Sequence, residues 1–217
     1  MGKPIRGQAT KDKLLEVAGS VFAEKGYRDA THAEICRRAH TNAAAINYHF
    51  GSKEGLYRAV FERLIQKTEA LYPLDGGLPP TADPEARLRA FIQARLNRIF
   101  DPDNHEKLHR ICMLEIFDPT GLLVEPLSRQ LAKDREHIVR ALRELLGPQA
   151  SPEDVTWCEM SIVGQCFFTA QRIRDGVIRT LLNLNADDVK GLTEHIVAFS
   201  LGGIASIRER LRRPAET

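Results

Sequence analysis

Residues 31–53, THAEICRRAHTNAAAINYHFGSK, decide the reading of this chain. They read as two short helices joined by a tight turn, then a polar hinge into a longer helix. Thr31 and Glu34 stand at capping-box spacing, so hydroxyl and carboxylate can satisfy each other's free backbone N–H groups. Arg37 and Arg38 suit the negative end of that helix dipole. His40-Thr41-Asn42 makes the turn, and His40 tolerates a left-handed backbone better than a β-branched residue would. The second helix, Asn42 to Tyr48, is thin. Ala43, Ala44 and Ala45 let its backbone lie close to another surface, and Asn47, Tyr48, His49 and Lys53 edge it with hydrogen-bonding groups and one charge. A narrow helix edged with donors and braced by a partner is what the DNA major groove admits. A helical hairpin with no DNA role is the competing reading.

Outward from this stretch the apolar spacing stays helical. The first helix is expected from about Lys11 to Lys25, with Leu14, Leu15, Ala18, Val21 and Phe22 on one face and Gly26 ending it. Ahead of it, residues 2–9 form a basic arm with Lys3 and Arg6, suited to a minor groove or simply a loose tail. Ser52 caps a fourth helix carrying Leu56, Tyr57, Phe61, Leu64 and Ile65, which should run to about Tyr72. Pro73 to Asp83, PLDGGLPPTAD, then breaks the pattern and reads as a flexible link. Asp83-Pro84 restarts a helix with Leu88, Phe91, Ile92, Ile99 and Phe100 on its apolar face. Further helices are predicted at about 103–117, 126–146, 152–175 and 186–212, with Ser151-Pro152 and Asn185 as starts and Gly147 as a stop. No segment alternates with period two, so no β-sheet is expected. The predicted fold is all-α, a three-helix head with a helix–turn–helix and a C-terminal helical bundle, about nine helices in all. The expected division is a DNA-binding head over 1–51, a connecting helix over 52–72, a linker over 73–83, and a ligand-binding and dimerisation body over 84–217.

The helix–turn–helix followed by AINYHFGSKEGLY, and preceded by AGSVFAEKGYRDAT, resembles the N-terminal domain of TetR-type transcriptional repressors from Thr10 to Phe61. Two departures stand out. His40 occupies a position where the family usually has glycine, and Asn47 one where an aromatic usually precedes Tyr48, which alters the base that is read. The body, with its long proline-containing link, is similar to the CecR-like subgroup. The resemblance implies a repressor released from a palindromic double-stranded operator by a small amphipathic effector. It implies DNA contacts from Thr31, Thr41, Asn42, Ala43, Ala45, Asn47, Tyr48, His49 and Lys53. It also implies a homodimer built on the last two helices. There Gly164, Phe199, Gly202, Gly203 and Ser206 are the candidate interface, since small residues let helices approach closely, within one subunit or between two. Phe91, Cys112, Glu115, Phe117, Phe167 and Gln171 are candidate effector contacts, as apolar or isolated polar positions on body helices. Each buried polar residue among them needs a partner, either a side chain or a ligand. Trp157, Phe167 and Phe168 read first as core.

The 217 residues carry 31 Lys+Arg against 29 Asp+Glu, a formal charge of +2. Residues 1–72 hold 12 of the cations and 8 of the anions, leaving 19 and 21 for the rest, so a basic head precedes a slightly acidic body. That suits a head that meets phosphate. No secretory signal leads the chain, and the longest uncharged runs, Met160–Gln171 and Ile196–Ile207, are too short to span a bilayer. A cytoplasmic protein without membrane contact is expected. Cys36, Cys112, Cys158 and Cys166 show no CxxC pairing and read as reduced core residues, a thiol sensor being the alternative.

His105-Glu106-Lys107-Leu108-His109 matches HExxH, which in zincins puts two histidines one turn apart on zinc with the glutamate as general base. Glu125 or Glu144 would have to serve as third ligand. A zinc-dependent hydrolase is therefore the alternative function, and a sensory metal site a lesser one. Against both, the motif follows Pro102-Asp103-Asn104 directly, at an exposed helix start. No Gly-rich phosphate loop and no GxSxG is present. The expectation is no enzyme, no metal and no cofactor; a helical DNA-binding protein without an effector is a third reading.

Overall fold

The structure is a computed structural model that describes residues 6–101, 105–174, 180–181 and 188–212; within these the side chains of residues 6, 105, 106 and 169–174 are left aside. Among the described residues there are nine helices and no strand. They are α1 (Arg6–Asp29), α2 (His32–Ala39), α3 (Ala43–Phe50), α4 (Lys53–Leu71), α5 (Pro84–Phe100), α6 (His105–Phe117), α7 (Val124–Leu146), α8 (Pro152–Arg174) and α9 (Val189–Arg212). The fold is all-α, as the apolar period of the sequence requires.

The chain packs as two compact units, residues 1–70 with 101–130, and residues 71–100 with 131–217. In the first unit Leu14, Ala18 and Phe22 of α1 meet Ile35 of α2, Ile46 of α3 and Leu56, Tyr57 and Phe61 of α4. Leu108 and Ile111 of α6 join that same core. Each large apolar side chain so buried contributes about 1.5–3 kcal/mol. The linker position in the sequence thus does not mark the packing boundary: α6 follows it in the chain yet belongs with the head.

Helix α1 differs from its predicted span. It begins at Arg6, so much of the expected arm is helical, while residues 1–5 lie outside the described residues. At its other end the expected stop is present: Gly26 (φ 76°, ψ 176°) has a non-helical backbone that breaks the helix, and a short helical stretch beyond the break runs on to Asp29.

The second unit gathers Leu88, Phe91, Ile92 and Leu96 of α5, Ile138 and Leu142 of α7, Val155, Ile162 and Cys166 of α8, and Ile196, Val197 and Ile204 of α9. The predicted starts recur with their caps. Asp83 accepts from the Ala86 N–H at 3.1 Å. Ser151 and Asp154 cap each other reciprocally, the Ser151 N–H donating to the Asp154 carboxylate at 3.0 Å and the Asp154 N–H to the Ser151 hydroxyl at 3.1 Å. The Ser151 hydroxyl, which donates to the Asp154 carboxylate at 2.7 Å, and then the Ser151 N–H hold that carboxyl below its usual range. Helix α9 is capped by Asp188 through the Gly191 N–H at 2.7 Å, and Asn185 lies outside the described residues.

The link over 73–83, loose by its composition, is folded into a series of hydrogen-bonded turns. Its turns are closed by Gly76 N–H to Pro73 O, Leu78 N–H to Asp75 O and Ala82 N–H to Pro79 O. Leu74 is buried in the second core. Proline and glycine forbid a helix here, but they equally specify an ordered series of turns. Trp157 and Phe168 are a second correction: they are 59% and 65% exposed and lie on the outside of α8, not in the core.

Candidate nucleic-acid interface

The helix–turn–helix is set by three local devices. Thr31 caps α2, its hydroxyl accepting from the Glu34 N–H at 3.2 Å. The reciprocal half of the predicted box is spent otherwise: the Glu34 carboxylate takes Lys25 at 2.7 Å and Arg38 at 2.8 Å, tying α2 to α1. The Lys25 ammonium beside it holds the Glu34 carboxyl below its usual range. His40 ends α2 in the left-handed region (φ 54°, ψ 46°), with its N–H on Arg37 O and the Thr41 N–H on Cys36 O. It is the non-glycine residue with positive φ among those described. A histidine therefore does the work of the usual glycine.

Asn42 caps α3 rather than lying within it. Its side-chain oxygen accepts from the Ala45 N–H at 3.1 Å, which leaves its amide N–H groups as donors for a ligand. On α3 Ile46 is fully buried and Ala45 is half-buried against the core. Ala43, Ala44, Asn47 and Tyr48 are exposed, Tyr48 to 84%. Ala45 thus faces inward, and Ala44 takes the outer place assigned to it. His49 is half-buried and stands edge-on to Tyr48 at 4.9 Å between ring centroids. Thr31 is exposed at the start of α2, and Thr41 is half-buried in the turn between α2 and α3. The outer face of α3 is accordingly two alanines deep, with an amide and a phenol one helical turn further on, a shape that fits a groove.

Lys53 opens α4, which Ser52 caps through the Gly55 N–H at 3.0 Å. A Cβ on Gly55 would sit 2.1 Å from Phe50 O, so glycine permits the tight passage from α3 to α4. Lys53 donates to Arg28 O at 3.3 Å and lies 4.5 Å over the Tyr27 ring. Burial pushes its ammonium below the usual range, with Asp29 pulling the other way. Tyr27 and Arg28 hold the cation at the edge of the α3 surface. Neither belongs to the predicted first helix, because both lie beyond the break at Gly26. The signal was available in the aromatic that follows the kink.

The candidate effector residues are divided between the two units. Phe91 and Phe167 belong to the second, Cys112, Glu115 and Phe117 to the first, and the Gln171 side chain lies outside the described residues. Glu115 already has protein partners: it accepts from the Tyr57 hydroxyl and the Thr120 hydroxyl, both at 2.8 Å, and from the Thr120 N–H at 3.2 Å. Phe117 is 80% exposed. The candidate interface residues share a setting. Phe199 is 65% exposed, and a Cβ added at Gly164, Gly202 or Gly203 would meet open space. Ser206 is exposed on the same helix, α9. Beside them α8 and α9 enclose a cleft of about 190 Å³ lined by Trp157, Ile162, Phe199, Gly203 and Ile207.

The HExxH stretch forms the first turns of α6, and the side chains of His105 and Glu106 lie outside the described residues. Its proposed third ligands are engaged elsewhere, Glu125 with Arg129 and Glu144 with Arg87. Among the described residues no three His, Cys, Asp or Glu side chains are grouped to hold a metal ion. None of the four cysteines forms a disulfide, and burial pushes the thiols of Cys36, Cys158 and Cys166 up, that of Cys166 to about 11. Such thiols react slowly at neutral pH. No helix among the described residues is long and apolar enough to cross a membrane.

Comparison with known proteins matches residues 14–60 to the family described as bacterial regulatory proteins, tetR family. Residues 84–204 match the C-terminal domain of the HTH-type transcriptional dual regulator CecR. The dual regulator CecR of Shigella flexneri is 47% identical over 174 residues, 74% of this chain and 75% of that protein. The probable HTH-type transcriptional regulator YttP of Bacillus subtilis is 29% identical over 58% of this chain and 60% of its own length. The repressor NicS of Pseudomonas putida is 35% identical over 38% of each chain. The chain therefore spans less than two thirds of these last two relatives. Among solved structures, a TetR-like transcriptional regulator from Rhodococcus sp. RHA1 superposes with a TM-score of 0.69 at 19% identity, over 90% of this chain and 96% of that one. A putative fatty acid metabolism regulator from Clostridium perfringens gives 0.67 at 19%, over 88% and 97%. At those identities the likeness speaks for the fold alone.

Proposed function

Because the chain belongs to the TetR family and carries a CecR-type C-terminal domain, we propose that it is a DNA-binding transcriptional regulator that represses by occupying an operator. The observation that carries this reading is the outer face of α3: Ala43, Ala44, Asn47 and Tyr48 stand exposed on a helix whose inner side is anchored by the fully buried Ile46. Asn47 reads base edges, where an amide pairs well with adenine, and Asn42 assists through its free N–H groups. Tyr48, Thr31 and Lys53 meet phosphates and set the register.

The protein acts as a homodimer through α8 and α9. Support comes from Trp157, Met160, Phe168 and Phe199, each more than half exposed, interleaved with glycines that leave room for a partner helix. Large exposed apolar side chains gathered on one face mark an association surface. Two-fold symmetry then requires a palindromic operator with half-sites about 34–36 Å apart. A small molecule bound in the body releases the operator, and it does so only by binding the DNA-free state more tightly. A coupling of about 1–3 kcal/mol, or roughly 5–150-fold, is the usual scale.

Selection of bound duplexes from a random pool, followed by fluorescence anisotropy on the recovered site, tests the reading. A two-fold symmetric consensus is expected. Recovery of no preferred sequence, with one affinity for all duplexes, would refute it. A molecule that releases the operator must also bind the operator complex more weakly by the same factor.

A further inference from the structure

The second unit contains a larger cleft, of about 720 Å³, between segment 71–83 and α5. Ligand sites commonly fall between about 300 and 1,000 Å³. The cleft owes its depth to the sequence of α5. Ala86, Ala90 and Ala94 recur every fourth residue and form a floor with little bulk. Glu85, Arg89, Gln93 and Asn97 recur at the same spacing and form a polar row beside it. Residues four apart lie one above the other on a helix, so each row is continuous. From Glu85 to Asn97 the polar row runs about 18 Å at 1.5 Å per residue. Leu71, Tyr72, Pro73 and Leu78 give an apolar opposite wall, and Glu194 of α9 reaches in through its ion pair with Arg89.

That wall is fixed by the protein's own bonds. Arg98, on the buried side of α5, donates from Nε to Tyr72 O at 2.9 Å. Arg87, also buried, donates from Nε to Ala82 O at 2.9 Å. The strap is thus stapled to α5 at both ends, and Leu74 is seated in the core between them. At Gly76 the strap comes so near that a Cβ would lie 2.9 Å from the Ala90 Cβ, and its φ of 59° favours glycine as well. A site held in shape before binding loses less entropy when a ligand arrives.

The charges choose the ligand class. Arg89 and Glu194 pair with each other, which leaves Asp83 and Glu85 as the unbalanced charges on the lining. The positive end of the α5 dipole amounts to roughly half a charge and offsets only part of this. We propose that the cleft binds an elongated amphipathic organic cation, with its apolar chain along the alanine row and its head beside Asp83 and Glu85. The site stands whether or not the same molecule releases the operator.

Titration calorimetry on the full chain tests it, with decyltrimethylammonium and decyl sulfate as probes, both below their micellar concentrations. The cation should bind saturably and decyl sulfate should not. Ala90→Leu should abolish binding by filling the floor, but it also presses on Gly76. Glu85→Lys decides independently, because Glu85 is exposed and reverses one head-group charge without touching the core; it should weaken cation binding by about tenfold or more. Circular dichroism checks that both variants keep their helices. Absence of saturable cation binding, equal binding of decyl sulfate, or unchanged affinity in Glu85→Lys would each overturn the proposal.

Discussion

Replacing Glu115 by alanine should cost the first unit more than any other single polar change. The Glu115 side chain is 6% exposed and accepts from the Tyr57 hydroxyl at 2.8 Å and from both the hydroxyl and the N–H of Thr120. Tyr57 is 1% exposed and packs edge-on against Phe22, so water does not replace the lost acceptor. Burial, with the carboxylate next in effect, pushes its phenol well above the usual range and keeps it a donor. An orphaned buried donor costs about 1–3 kcal/mol, and a hydrogen bond to a charged group contributes about 1.5–3 kcal/mol. Thr120 is half-buried and partly recovers with water, so Glu115→Ala should lose about 2–4 kcal/mol. Tyr57→Phe removes donor and need together and should lose about 1.5–3 kcal/mol. The double variant should lose clearly less than the sum, with a coupling of about 1–2 kcal/mol. Urea unfolding followed by far-ultraviolet circular dichroism measures all three. Additivity within about 0.3 kcal/mol would refute the bond as the reason Glu115 is buried.

Lys53→Ala should weaken binding to specific and random duplexes alike and reduce the salt slope by about 1.8 per dimer, one phosphate from each head. Asn47→Ala should instead relax preference at one position per half-site, and equal losses on both kinds of duplex in both variants would sink that division. Gly203→Leu, placed where a Cβ meets open space in the single chain, should give helical monomers with operator affinity lowered by orders of magnitude; gel filtration that still shows dimers would move the interface elsewhere. Cys166 predicts an alkaline effect. Its thiol is raised from 9.0 to about 11 by burial, so the stability it confers is complete below pH 9 and is lost as pH climbs towards 11, about 2–3 kcal/mol in all. Cys166→Ala should flatten unfolding free energy against pH in that window, and an unaltered slope would show that the thiol is not the titrating group.

Local sequence was enough for the elements of this protein. Helix periods, Ser52, Asp83 and Ser151 as caps, and Gly147 as a stop are decisions taken within a few residues, and the structure places them there. His40 was legible for the same reason, since a left-handed position after a helix is a matter of one residue's backbone. Much of the α3 surface could be read too, because alternation between the buried Ile46 and exposed neighbours follows from 3.6 residues per turn.

Other decisions needed the tertiary structure, because they depend on which surfaces meet. Composition reads the 73–83 segment as loose, yet Arg87 satisfies the Ala82 carbonyl, Arg98 that of Tyr72 just before the segment, and Leu74 fills the core, partners that lie on another element. The sequence marked Glu115 as a polar residue in need of a partner, but only packing supplies Tyr57 from 58 residues away. Trp157 and Phe168 have the composition of a core, and nothing in their neighbours says which side of α8 is covered within one chain. Hydrophobicity is non-directional: it tells how much surface is to be buried, and only the arrangement of the helices tells against what.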